Sequence, residues 1–116
     1  MTLELSDLDT IKETALKNFE ARVAKADPAK PNEFEYEAAR LESQLEQLYS
    51  FTALLARREP DMGKTAELWA GLVRTCDLFA GRVFGLAQQH SINLAAYDHI
   101  LDIRSAAEEL RALHSR

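Results

Sequence analysis

At 116 residues, with 47% hydrophobic and 28% charged side chains, the chain has the length of about one domain and the composition of an ordinary globular protein; four glycines and three prolines argue against disorder or a β-rich fold. The net charge of -5, from 19 acidic against 14 basic residues with no polybasic run, disfavours nucleic acid and anionic membrane surfaces as partners. The lone Cys76 cannot form an intrachain disulfide, no apolar run reaches the length of a membrane span, and "MTLELSDLD" lacks the basic-then-apolar start of a leader, so the expected location is cytoplasmic.

The first predicted helix covers about 6–26. Ser6 with Asp9 three residues on reads as its cap, and Leu8, Ile11, Ala15, Phe19, Val23 and Ala26 recur in steps of three and four to draw one apolar stripe. "DPAKPN" interrupts the pattern, because each proline restricts its predecessor and lacks a donor. A second helix is expected over 32–58, with Asn32 and Glu35 as a cap. Its stripe of Phe34, Ala38, Leu41, Leu45, Leu48, Thr52 and Leu55 is a heptad, the strongest periodic signal in the chain.

"RREPDMGK" ends that helix, and a third is predicted over 61–90 with Trp69, Leu72, Cys76, Phe79, Val83, Leu86 and His90 on one side. The short connection makes helices two and three antiparallel neighbours. In "HSINLAAY", Asn93 is the expected cap of a fourth helix over 93–114, with Ile92 and Tyr97 as a hydrophobic staple, and Ala96, Ile100, Ile103, Ala107 and Leu110 line its apolar side. No internal repeat interrupts this order. The predicted architecture is all-α: a single domain over 1–116 forming an antiparallel four-helix bundle, in which helices two and three make a long central hairpin.

Helical bundles host carboxylate-bridged metal centres through Glu-x-x-His pairs, which bring a carboxylate and an imidazole from adjacent turns to one ion. Three residues before His90, His99 and His114 stand Ala87, Ala96 and Arg111, so that motif is missing. Glu-x-x-Glu pairs, which hold magnesium beside phosphates, are missing too; Glu33 and Glu37, like Glu42 and Glu46, stand four apart, the spacing of a solvated acidic face. A boundary His99 bonded to Asp102 is the expected state of that histidine. Asp98, His99 and Asp102, with the glutamates of helix two, are the residues that an unfamiliar metal- or ligand-binding enzyme would use. Cys76 and His90 lie 14 residues apart along one helix, about 21 Å at the usual rise, too far for a thiol and its base. Cys76 instead occupies the centre of the apolar stripe, as an inert buried thiol does. No cofactor is expected.

The sector of helix three opposite its core stripe is not polar. It holds Ala70, Arg74, Asp77, Leu78, Gly81, Phe84, Gly85 and Gln88, where a solvent-facing helix would carry Lys, Glu and Gln. Glycine costs a helix interior about 1 kcal/mol relative to alanine, so Gly81 and Gly85, one turn apart, suggest close approach of another backbone. Helix two adds Tyr49, Phe51 and Leu54 outside its heptad seam. Either another helix of the same chain covers this face, or a partner does, with Arg74 and Asp77 pairing across a two-fold axis. The expected function is therefore protein–protein interaction, by a homodimer or with a helical protein partner, in an adaptor, chaperone-like or regulatory task. The interface is expected at Arg74, Asp77, Leu78, Gly81, Phe84, Gly85, Tyr49, Phe51 and Leu54.

Overall fold

Each of the four apolar stripes winds into a helix in the computed structural model, which describes residues 3–115: α1 (Leu5–Lys25), α2 (Pro31–Arg58), α3 (Met62–His90) and α4 (Ala95–His114). They form an antiparallel four-helix bundle around one hydrophobic core, with α2 and α3 as its long central hairpin. Ala38, Leu45, Cys76, Phe79, Val83, Ile100 and Ala107 are sealed from solvent at its centre. Every residue of the heptad stripe on α2 from Phe34 to Thr52 is buried, as is every residue of the α3 stripe from Trp69 to Leu86. Phe34 at the start of α2 stacks on His90 at the end of α3, with ring centroids 4.1 Å apart, and Tyr49 meets Trp69 at 5.3 Å nearer the turn. These two contacts set the hairpin in register along its length.

The helix bodies sit where the periodicity placed them, but three of the caps do not. α1 starts at Glu4, whose N–H donates to the Asp7 carboxylate at 2.8 Å, so Asp7 rather than Asp9 reaches back; Ser6 lies inside the first turn, its carbonyl accepting the Thr10 hydroxyl. α2 starts one residue before Asn32, with Pro31 in the first turn, where a missing N–H is harmless. Glu33 there accepts from the backbone N–H of Asp27 at 2.7 Å, and the Asp27 carboxylate accepts from Ala29, so the linker folds onto the helix start and leaves no capping role for Asn32 or Glu35. α4 begins after Leu94, not at Asn93: the buried Leu94 side chain anchors the turn in the core. At α3 the cap is Asp61, which accepts from the N–H groups of Gly63 and Lys64. The far end closes on Ser91 in the left-handed region (φ 53°, ψ 44°), with Ser91 N–H bonded to Gln88 and Ile92 N–H to Ala87, a Schellman arrangement.

α4 packs along α3 and α2, whereas α1 packs along α2. Two ties hold the flank of α1: Arg58 donates to the Leu3 carbonyl at 3.2 Å, and Glu20 pairs with Arg82 of α3 at 3.0 Å. The result is a flat molecule of 51 × 30 × 14 Å with a radius of gyration of 15.2 Å, against about 13.4 Å for a compact chain of this length. It exposes 7208 Å², where a compact monomer of its mass would expose about 6,400 Å².

Candidate interaction surface

Asp77, Leu78, Gly81, Phe84 and Gly85 lie on the outer side of α3, away from its buried stripe. Leu78 is 39% exposed and Phe84 46% exposed. A Cβ built at Gly81 or at Gly85 meets nothing within 4 Å among the described residues, so the notch between them is open to whatever approaches. Arg74 is exposed beside them and folds back along Gly71. The remaining expected contact residues divide. Leu54 is 47% exposed, Phe51 is half-buried, and Tyr49 is spent on the α2–α3 seam against Trp69.

Two features of this face differ from the sequence expectation. Asp77 pairs with Arg104 of α4 within the same chain, so it is not free to meet Arg74 across a two-fold axis. The Asp77 carboxylate also raises the Arg104 pKa above the ordinary arginine value, through their hydrogen bond first and their charges second. Phe84 rests its ring against Tyr97 of α4, centroids 5.5 Å apart, which leaves its outer half exposed. α4 therefore reaches the edge of the outer face at Asp77 and Phe84 without covering its middle.

The other edge of α3 borders a groove that periodicity does not reveal. Its walls are the first half of α1 and the first half of α3, its floor is the second half of α2, and its volume is about 920 Å³. Leu8, Leu48, Leu55, Leu68 and Leu78 give it an apolar lining, while Asp9, Lys12, Lys64, Glu67 and Arg74 stand around it. On the α3 wall the Arg74 guanidinium lies over Gly71, its Nη2 3.7 Å from where a Cβ would stand. The Thr75 hydroxyl donates to the Gly71 carbonyl at 3.0 Å and the buried Thr52 hydroxyl to the Leu48 carbonyl at 2.7 Å, so both threonines spend their polar atoms on their own helices. The groove thus offers apolar surface and leaves neither hydroxyl needing a new partner. The signal that would have found it is a second stripe on α1, Leu5, Asp9, Lys12 and Leu16, one turn apart and beside the core stripe.

The carboxylate and imidazole candidates do not assemble. Asp98, His99 and Asp102 are all exposed, and among the described residues no three His, Cys, Asp or Glu side chains converge as a metal site would require. His99 lies near Glu42 of α2 instead of forming the expected boundary pair with Asp102. Burial, and the hydrogen bond and charge of Glu46, push the Glu42 pKa up from its ordinary value; the charge of His99 partly opposes this. Cys76 is wholly buried, and burial, helped by the Asp77 charge, pushes its thiol up to about 12. Such a thiol is protonated at neutral pH and is no nucleophile.

Compared with protein-family profiles, with curated proteins and with solved structures, the chain has no significant match. No helix among the described residues is long and apolar enough to cross a membrane.

Proposed function

We propose that this is a cytoplasmic protein that works through protein contact, as a homodimer with an adaptor, chaperone-like or regulatory task. The observation that carries this reading is the outer face of α3, where Leu78 and Phe84 stand exposed around two glycines that no described residue of the chain covers. Glycine inside a helix is destabilising, and no described residue uses the room that Gly81 and Gly85 make. The surface excess supports the same reading. The flat bundle exposes roughly 800 Å² more than a compact monomer, so its surface has room for an interface of standard size, about 800 Å² per partner.

Static light scattering tests it directly. The expected mass is twice that of the chain, and Leu78→Glu, at the border of the outer face and the groove, should lower the mass towards the monomer while circular dichroism keeps its helical amplitude. A monomeric parent protein across the accessible concentration range would overturn the reading.

A further inference from the structure

We infer that the groove between α1 and α3 receives helix α1 of a second copy, antiparallel to the resident α1. This rests on the homodimer reading above and places its contact in the groove, which borders the outer face of α3 at Leu78, rather than in the notch of Gly81 and Gly85.

The groove has room for part of a helix. Taken as a cylinder about 10 Å across that rises 1.5 Å per residue, roughly eight residues of α-helix fill a volume equal to its 920 Å³. Its lining combines leucines and two threonines whose hydroxyls are already bonded with Lys64, Glu67 and Arg74, so a helix edge of mixed apolar and charged residues can lie there without stranding those hydroxyls. The flank of α1 that borders it is unusual for solvent: Leu5 is 60% exposed, and Leu8, Lys12 and Leu16 are half-buried.

The sequence of α1 selects which helix belongs there. Leu5, Asp9, Lys12 and Leu16 form one stripe, at steps of four, three and four, and the first three of these face or border the groove. Run antiparallel against itself about an axis between Thr10 and Ile11, the stripe is self-complementary: Leu5 of one copy meets Leu16 of the other, and Asp9 meets Lys12, each twice. Self-complementarity is what an isologous interface requires, because one patch must recognise itself. Within one chain the same two charges are poorly used: Lys12 Nζ stands 3.9 Å from Asp9, at the limit of an ion pair, and Asp9 is largely exposed. Each α1 would then pack on its own α2, on the second α1 and on the α3 wall of the second copy, filling both grooves by the same operation.

The charges allow a test that acts only between chains. Asp9→Lys and Lys12→Glu each place like charges at the crossing and should weaken dimerisation by roughly tenfold. In an equimolar mixture of the two variants, the Asp9→Lys chain brings two ammonium groups to the crossing and the Lys12→Glu chain two carboxylates, so both facing pairs are again opposite in charge. Sedimentation velocity should then show a heterodimer of near-parental affinity, with unchanged helicity and thermal midpoint for each variant as a dilute monomer. Singles that dimerise like the parent, or a mixture no tighter than its components, would overturn the inference. If Gly81→Arg dissociates the dimer while both α1 variants leave it intact, the contact lies on the outer face of α3: the homodimer reading then stands and the α1 placement falls. A monomeric parent would end both.

Discussion

Replacing both notch glycines by alanine, Gly81→Ala with Gly85→Ala, separates the folding role of α3 from its contact role. Neither added methyl meets an atom within 4 Å among the described residues, and neither glycine has a positive φ, so the chain itself accepts both side chains without strain. Each substitution should recover the helix-propensity difference, about 1 kcal/mol per site, giving about 2 kcal/mol for the pair if the two sites add. For a domain of this size that gain raises the thermal midpoint by about 10 °C. Urea denaturation, performed dilute enough to hold the protein monomeric, should show a higher midpoint with an unchanged slope. A lower midpoint in the dilute protein would refute the reasoning, since it would mean that something within the fold packs on these backbone positions. Concentrated protein gives a second readout: a dimer that keeps its affinity while the fold strengthens agrees with a contact in the α1–α3 groove, which neither glycine lines, whereas a dimer weakened by the methyls places the partner against the notch.

Three further outcomes follow from single sites. Ser91 holds a left-handed conformation that costs a side-chain-bearing residue about 1 kcal/mol, so Ser91→Gly should raise the unfolding free energy from urea denaturation by a comparable amount. The Cys76 thiol, lifted from 9.0 to about 12, should resist thiol reagents at neutral and mildly alkaline pH, with labelling that follows unfolding. Because its folded value is the higher one, its contribution to stability is complete below 9.0 and is lost as pH rises towards about 12, which alkaline denaturation curves of the parent and Cys76→Ala will compare. Glu42 also has a raised folded value, so the fold favours its protonated form, and the stability this gives is lost as pH rises through that value. Glu42→Gln should therefore be more stable than the parent at neutral pH, with the difference fading at pH values well below the ordinary carboxylate range.

Spacing alone determined much of this protein. The stripes on α2 and α3 are buried from Phe34 to Thr52 and from Trp69 to Leu86, with Leu55 and His90 at their ends half-buried, and Cys76 takes the core position that its place in the stripe assigned it. Such features are legible because 3.6 residues per turn turns a linear pattern into a side, whatever lies next to it. The caps were less legible. Asp7, Glu33 and Leu94 each win over the residue that the local motif favoured, because a carboxylate that reaches back to an earlier backbone N–H, or a core anchor, outweighs a capping side chain.

Only the tertiary structure decided which sides meet. Periodicity tells that Leu5 and Leu16 share a stripe and that Leu68 and Leu78 belong to α3; it does not tell that these elements flank one groove. That follows from α1 settling along α2 and from its ties at Arg58 and Arg82. Likewise the sequence showed that Asp77 and Arg74 could pair, and the position of α4 gave Asp77 to Arg104 instead. The physical reason is the same in each case. A helix encodes its own apolar direction through bonds to residues three and four away, whereas its neighbours are chosen by side-chain volumes and charges contributed from distant parts of the chain.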